Sequence, residues 1–191
     1  MPNAITLLKA DHATVKRRCR ELESSGDRAV KLREQLVSQI EQEIKVHSQL
    51  EEELFYPAFK AAAEDTENED LFYEATEEHH VVDMVLPALK AANPKSPEFK
   101  AKAKVLKDLL EHHIQEEETE MFVEARRLLD DAQLRELGDA MQERKKTLVA
   151  MWESPILRPV KKLQSAAQKL LPTKVKNAKA NAIAKMRAEG R

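Results

Sequence analysis

Two stretches of the chain repeat one spacing: HSQLEEELFYP, from His47 to Pro57, and HIQEEETEMF, from His113 to Phe122. In both, a histidine precedes a glutamate by four residues, and more acidic residues follow. Residues four apart in an α-helix are separated by about 40° around the axis and about 6 Å along it, so each pair projects from one face. A single pair of this kind is typical of a solvated helix face. Its repetition favours a shared role inside the fold.

The rest of the chain is patterned for helices, and no strand pattern competes. Ala, Leu, Glu, Lys and Arg are abundant, and the 191 residues include only three glycines. Charged residues make up 35% of the chain, so a core requires apolar residues concentrated on helix stripes. Pro57 predicts a kink near Tyr56, and Pro87 a second kink. Short breaks divide the chain into five predicted helices at about 4–23, 28–63, 69–93, 97–129 and 131–152.

This pattern predicts an all-α protein, because helices joined by short loops pack as antiparallel neighbours. We expect an up-down-up-down four-helix bundle over residues 1–130, an additional packing helix over 131–157 and a basic C-terminal extension over 158–191. The extension contains ten Lys/Arg and one Glu, a net charge of +9, which leaves −11 for the rest of a chain whose total is −2. We expect a helical or disordered tail; binding of nucleic acid or an acidic partner is the alternative.

The cysteine content and the N-terminus indicate the compartment. Cys19 is the single cysteine, so an intrachain disulfide is excluded, which fits a reducing environment. The N-terminal residues lack a secretory pattern, and the sequence has no apolar run long enough to span a membrane. We therefore expect a cytoplasmic protein that does not contact membranes.

The six histidines fall at four places, one on each predicted bundle helix: His12, His47, His79–His80 and His112–His113. His12 precedes His47 by 35 residues, and His79 precedes His113 by 34. Apolar residues follow His12 at offsets 3, 7 and 10 and follow His79 at the same offsets, which selects His79 over His80 as the inward member. A helical hairpin used twice would bring two sets of histidine and carboxylate face to face.

Four imidazoles and two carboxylates inside a bundle can hold two metal ions. Mixed nitrogen and oxygen ligands suit iron, manganese or zinc rather than calcium or magnesium, and the absence of a cysteine cluster argues against structural zinc. Two buried carboxylates facing each other would cost several kcal/mol unless cations lie nearby. We predict six metal ligands, with the two glutamates as bridges: His12, His47, Glu51, His79, His113 and Glu117.

Neighbouring polar residues are assigned lesser roles. His80 and His112 are flanking residues or alternative ligands. Asp11 and Glu78 are candidates to accept a hydrogen bond from a ligand imidazole. The other glutamates of the two acidic runs are assigned to the solvated helix face.

The combined pattern H…HxxxE…H…HxxxE resembles the hemerythrin-like, HHE cation-binding family over roughly residues 1–130. The segment ELGDAMQERK and the turn at Ser154–Pro155 resemble its mycobacterial-type bacterial branch. The resemblance implies a non-haem, oxo- or hydroxo-bridged di-iron centre in a four-helix bundle, with manganese or zinc less favoured. It also implies chemistry with dioxygen, hydrogen peroxide or nitric oxide.

Two positions qualify what the resemblance implies. Dioxygen-carrying hemerythrins have a second histidine on the third helix where Asp83 stands here, which argues against reversible dioxygen transport and leaves Asp83 as a residue near the ligands. In some bacterial members a tyrosine after the second-helix motif approaches the iron, and Tyr56 is the candidate here. Plain helical spacing places Tyr56 about 180° from His47, so this role requires a kink at Pro57.

We expect a protein that reacts with a small oxidant, such as a di-iron peroxidase- or catalase-like oxidoreductase that removes peroxide or nitric oxide under oxidative stress. An iron- or oxygen-sensing module without turnover is the main alternative. Iron storage is disfavoured because ferritin-like bundles use Glu-x-x-His motifs, with the residues in the opposite order. A purely structural bundle would hold no stoichiometric transition metal.

Overall fold

A computed structural model describes residues 2–63 and 69–154, apart from the side chain of Glu69, and within them the chain forms seven α-helices. Two π-helical turns extend these helices: π1 (Glu51–Phe55) joins α2 to α3, and π2 (Glu117–Met121) joins α5 to α6. The α-helices are α1 (Ala4–Ser24), α2 (Val30–Leu50), α3 (Tyr56–Ala62), α4 (Glu69–Ala91), α5 (Pro97–Glu116), α6 (Phe122–Leu128) and α7 (Asp131–Glu153).

Four long helices form a closed ring, which confirms the predicted all-α bundle. α1 packs against α2 and α5, and α4 packs against the same two helices. The chain divides into two compact units, Met1–Trp152 and Glu153–Arg191, and the bundle lies in the first. The predicted basic extension, 158–191, lies outside the described residues. No described helix is both long and apolar enough to cross a membrane.

The buried face of α1 shows how the sequence builds both the core and its polar centre. Ile5, Leu8, His12, Val15 and Cys19 recur every three or four residues, and all are buried. Leu8 belongs to one apolar cluster and Val15 to another, so the histidine lies between two hydrophobic layers. Each fully buried aliphatic side chain contributes roughly 1.5–3 kcal/mol, so these layers supply the main stabilisation of the bundle.

Polar side chains begin three of the helices. The Asn3 side chain accepts a hydrogen bond from the backbone N–H of Thr6 at the start of α1. Ser96 accepts one from the N–H of Phe99 at the start of α5, and Asp130 accepts two from the first turn of α7. These caps satisfy N–H groups that a helix start leaves unpaired and so fix where each helix begins.

The helices are not interrupted at the two prolines predicted to kink them: π1 precedes Pro57, and α4 runs through Pro87. Pro57 is the second residue of α3 and lies next to π1, so its missing N–H falls where the α-helical hydrogen-bond pattern is already interrupted. α4 continues through Pro87 from Glu69 to Ala91. A π-turn accommodates one extra residue, so the residues after π1 are rotated by about 100° from their α-helical positions. The second half of the chain has a π-turn at the corresponding position, π2, and no proline follows it.

The helix α7 approaches the start of α1 closely at Gly138. A Cβ atom placed on Gly138 would lie 2.7 Å from backbone atoms of Pro2, Asn3 and Ala4. Met141 and Leu148 of α7 belong to the same buried cluster as Ala4. Glycine therefore permits α7 to cover this end of the bundle.

Replacing Gly138 by alanine is expected to lower the free energy of unfolding by about 1–3 kcal/mol, because backbone must move to admit the methyl group. Helix propensity has the opposite effect, since alanine by itself stabilises a helix by roughly 1 kcal/mol relative to glycine. Gly26→Ala is the matched control, since no described atom lies within 4 Å of its added Cβ. Urea unfolding of both variants measures the difference, and equal stability would contradict the close approach.

Candidate metal centre

The six residues predicted as metal ligands lie together in the middle of the bundle, and all are buried. Their potential ligand atoms form two groups, within each of which the atoms lie no more than 4.8 Å apart. Glu51 belongs to both groups, so one side chain joins them. The first group is His12, His47, Glu51 and Glu117, and the second is Glu51, His79 and His113.

The Glu51 carboxylate faces the two groups with different oxygens. Its Oε1 lies 3.0 Å from Nε2 of His47, and its Oε2 lies 3.4 Å from Nε2 of His79. His47 and Glu51 are on consecutive turns of one helix, as the four-residue spacing predicts. This placement is the one that a bridging carboxylate requires.

Glu117 has a corresponding position on the opposite side of the cluster. Its Oε2 lies 3.1 Å from Nε2 of His12 and 3.5 Å from Nε2 of His113, so it also contacts both groups. Its Oε1 accepts a hydrogen bond of 2.8 Å from the hydroxyl of Tyr56. The two carboxylates therefore differ, because only Glu117 is held by a protein hydroxyl.

The outward ring nitrogens of the histidines face carboxylates. Since a carboxylate accepts and does not donate, Nδ1 carries a proton in three rings, and in the neutral form of each ring Nε2 presents a lone pair to the centre. This arrangement orients histidine as a metal ligand. For the fourth ring, Nδ1 of His47 lies 3.7 Å from Oδ2 of Asp11, beyond hydrogen-bond distance. The three bonds run from His12 to Glu118 at 3.0 Å, from His79 to Glu52 at 2.8 Å and from His113 to Glu78 at 2.8 Å.

This donor set fits metal ions better than it fits an ordinary core. Nε2 of His12 lies 3.0 Å from Nε2 of His47, and the corresponding distance between His79 and His113 is 3.2 Å. Two lone pairs at that distance repel unless a proton or a cation lies beside them. Among the described residues, neither oxygen of Glu51 has a hydrogen-bond partner, and Oε2 of Glu117 also lacks one. Buried carboxylates of this kind cost several kcal/mol unless cations compensate them.

The electrostatics of the metal-free site follow from the same contacts. Burial alone would lower the pKa of His47, but the carboxylates of Glu51 and Asp11 raise it to about 10. Burial likewise opposes the charged form of His79, yet Glu51 and Glu52 raise its pKa to about 9. Burial would raise the pKa of Glu51, but His47 and His79 hold it well below its usual range. Without metal, the centre is therefore a proton-rich ion cluster.

Tyr56 reaches the cluster because π1 rotates it inward. It is fully buried, five residues after Glu51, and its ring stacks on His79 with centroids 5.6 Å apart. Burial, then Glu117 and Glu51, raise the pKa of its hydroxyl well above 10, so the group remains protonated and donates to Glu117. The structure thus brings Tyr56 to the site through a π-turn, while its role as a ligand stays a prediction.

Phe122 is the counterpart of Tyr56 in the second half, and sequence reasoning missed it. It lies five residues after Glu117, and its ring stacks on His12 with centroids 5.7 Å apart and planes 6° from parallel. The equal five-residue offset from each glutamate was the signal in the sequence. Since Phe122 has no hydroxyl, the two halves of the site differ in polarity.

Three predicted neighbours lie away from the buried cluster. Asp83 is 48% exposed and accepts a hydrogen bond from Nζ of Lys45 at 2.5 Å, so its assignment beside the ligands is wrong. His80 is 63% exposed and His112 is 61% exposed, and both lie outside the two buried groups. Each adjoins an inward-facing histidine in sequence and is therefore turned about 100° away from the centre.

Two glutamates assigned to the solvated face instead hold histidine rings of the buried cluster. Glu52 and Glu118 are partly exposed, and they accept the Nδ1 hydrogen bonds of His79 and His12, respectively. Each directly follows a central glutamate, so the repeat contained this information. Of the two predicted acceptors, Glu78 does bond to His113, while Asp11 pairs with Lys145 of α7.

Comparisons with known proteins agree with this geometry. Residues 3–125 match the Hemerythrin HHE cation binding domain, which is more than half of the chain. A DNA nickase of Nostoc sp. is 29% identical over 131 residues, which cover 69% of this chain and only 36% of that protein. The uncharacterized protein Rv2633c of Mycobacterium tuberculosis is 29% identical over 147 residues, covering 74% of this chain and 84% of that protein.

A solved structure shows the same architecture. The crystal structure of a hemerythrin HHE cation binding domain-containing protein from Mycobacterium kansasii, an Rv2633c homologue, matches with a TM-score of 0.70 and 28% sequence identity. The match covers 83% of this chain and 93% of that one. From the domain match, the fold and the buried cluster of histidine and glutamate, the chain belongs to the hemerythrin HHE cation-binding domain family.

Proposed function

We propose that this protein holds two iron ions, one at each buried ligand group, and reacts with a small oxidant such as hydrogen peroxide or nitric oxide. The observation that carries the proposal is the position of Glu51, whose two oxygens face different pairs of imidazoles. Glu51 and Glu117 would bridge the ions, and the four imidazoles would bind one ion or the other. Mixed nitrogen and oxygen ligands of this kind suit iron.

A pair of bound irons would supply the electrons for reducing such an oxidant, and for repeated turnover a second peroxide molecule or an added reductant would return them. The protein contributes position, polarity and exclusion of water. The Nδ1 hydrogen bonds hold the imidazole rings in place, and the Tyr56 hydroxyl holds one oxygen of Glu117. Leu50 and Phe55 are fully buried near the ligands and keep bulk water away. Six protein ligands for two ions leave coordination positions open for a small molecule.

The test combines elemental analysis with a peroxide assay on the full-length protein. We expect about two iron ions per chain and repeated consumption of peroxide, both of which depend on His79. His79→Gln should lose iron and activity, whereas His80→Gln should retain both because His80 is exposed. If iron binds but peroxide persists, the catalytic part of the proposal is wrong. If no transition metal binds, the metal-binding part is wrong as well.

A sensing module is the second candidate. The likeness to the Nostoc protein covers only 36% of that protein, so a region like this one occurs there within a longer chain. By analogy, iron occupancy could control contacts made elsewhere on this chain, including the basic residues 158–191. Binding of duplex DNA should then differ between iron-loaded and metal-free protein, and deletion of 161–191 should remove the difference. Equal binding in all these states would exclude this alternative for DNA.

Metal binding is expected to release at least two protons at pH 7. The pKa of His47 is about 10 and that of His79 about 9, so both rings are protonated in the metal-free protein at pH 7. A metal needs the Nε2 lone pair and must displace these protons. Apparent affinity should therefore rise with pH and level off above about pH 10. Calorimetric titration in buffers of different ionisation enthalpy counts the protons, and a count of zero would contradict the assigned protonation.

A further inference from the structure

The two halves of the chain differ on the outer side of the metal centre. The two halves can be aligned by matching His79 to His12 and His113 to His47. The counterpart of a residue in α4 is then 67 positions earlier in the sequence, and that of a residue in α5 is 66 positions earlier. In the first half the surrounding positions are buried and apolar, and they share a cluster with α7. In the second half polar residues replace them: Glu74 for Leu7, His112 for Val46 and Glu116 for Leu50.

Two of these replacements, Glu74 and Glu116, line an acidic opening that leads towards the predicted ligands. A surface cleft of about 260 Å³ is lined by Glu74, Glu77 and Glu78, with Val81 and Leu109. A smaller cavity of about 10 Å³, room for one water-sized species, shares Glu74 and Glu78 with the cleft. Cleft and cavity therefore adjoin, and their shared lining is negatively charged.

The inner end of this opening is a metal-ligand candidate. Glu116 and Glu117 line the small cavity, and Glu117 is buried. Its Oε2 has no hydrogen-bond partner among the described residues. This oxygen faces Nε2 of His12 at 3.1 Å, and a buried carboxylate oxygen without a hydrogen bond at the end of an acidic passage favours a cation over a neutral molecule or an anion.

A second ligand group lies where the small cavity meets the protein surface, because Glu78 and Glu116 line that cavity and His112 beside them is exposed. Nε2 of His112 lies 3.1 Å from Glu116 and 3.6 Å from Glu78, and the potential ligand atoms of all three lie within 4.8 Å of one another. Glu78 also accepts the Nδ1 hydrogen bond of His113 through its other oxygen. One carboxylate thus connects the outer group to a ring of the buried centre.

We propose that this opening is the uptake route for the divalent metal ion, with Glu78, His112 and Glu116 as a transit site at its mouth. The inference rests on the proposed binding of metal at the buried centre. Carboxylates along the passage replace the waters that an incoming ion loses, and their charge raises its local concentration. On the opposite side, α7 and the ion pair between Lys145 and Asp11 cover the corresponding positions.

The test measures how fast metal-free, full-length protein takes up Co²⁺, followed by the visible absorption of the bound ion. The variant His112→Val/Glu116→Leu copies the residues of the covered half, and Glu116→Gln is a milder second variant. We expect loading about tenfold slower or more in the double variant at low ionic strength, with the same final number of ions per chain. Added salt should slow the wild type more than either variant.

Glu136→Gln is the control, because it removes the same charge from an exposed position on α7. Loading of both Glu116 variants at the wild-type rate would overturn the route, as would equal slowing by Glu136→Gln. A lower final number of ions at an unchanged rate would also overturn it, since Glu116 would then act on the centre itself. If the wild type binds no Co²⁺ and no iron, the proposed function fails before the route is reached.

Discussion

Replacing Glu51 by glutamine is expected to weaken binding at both metal positions together, by more than about 100-fold. Residues that only orient a metal ligand contribute about 10–100-fold to affinity, and Glu51 is proposed to contact the ions directly. It is the residue common to both ligand groups, with Oε1 3.0 Å from His47 and Oε2 3.4 Å from His79. Glutamine keeps the shape but removes the charge and one acceptor oxygen. Equilibrium titration of metal-free protein with iron(II) or cobalt(II) measures the loss.

Two variants on the same turn serve as controls for this experiment. Glu53→Gln removes an equal charge two residues away, where the carboxylate pairs with Arg144 instead of the cluster, and should leave affinity unchanged. Glu52→Gln should cost an intermediate 10–100-fold, because Glu52 holds the ring of His79. Selective loss of one ion in Glu51→Gln would contradict the bridging position. Unchanged affinity for both ions would exclude Glu51 as a ligand.

Replacing Arg33 by methionine is expected to lower the free energy of unfolding by about 1–3 kcal/mol, the cost of leaving buried acceptors without their charged donor. Arg33 is 1% exposed and ties two loops together at the end of the bundle opposite α7. Its guanidinium donates to the hydroxyl and carbonyl of Ser25 and to the carbonyl of Pro94. It also pairs with Asp27 and lies over the ring of Phe99. Methionine fills similar space but leaves these acceptors without a donor.

Arg28→Met is the matched control for Arg33, since it removes the same charge from an exposed position five residues earlier. Its stability should stay within about 0.5 kcal/mol of the wild type. Arg33→Lys should fall between the two, because an ammonium cannot reproduce the three-nitrogen geometry. Urea unfolding of the metal-free proteins gives these differences, and metal content should not change. Equal stability of Arg33→Met and Arg28→Met would show that the network contributes nothing.

The centre of the bundle could be predicted from the sequence because its signal is local and occurs twice. His47 and Glu51 share a helix face by simple spacing, and the recurrence at His113 and Glu117 marks both pairs as inward. His12 and His79 follow because each lies within a repeated apolar stripe. Helical periodicity thus carries information about which face of each helix is buried, and the structure brings all six residues together.

The surroundings of the centre could not be predicted in the same way, because they depend on contacts between helices. Whether Glu52 reaches His79, or Asp83 turns to Lys45, depends on the relative rotation and axial shift of two helices. Neither quantity is encoded in the periodicity of a single helix. Arg33 illustrates the same limit, since nothing in its local sequence distinguishes it from the many exposed arginines of a charged chain.

The two π-turns also could not be predicted from helical periodicity, and their positions bear on the evolutionary origin of the chain. Each half has a π-turn that begins at its central glutamate, and each places an aromatic ring five residues beyond that glutamate. An insertion in a helix is a rare event that costs a regular hydrogen bond. One ancestral hairpin that acquired the insertion and was then duplicated accounts for both turns with a single event. On this account Tyr56 and Phe122 descend from one position, and the covered and acidic sides of the bundle diverged after the gene had doubled.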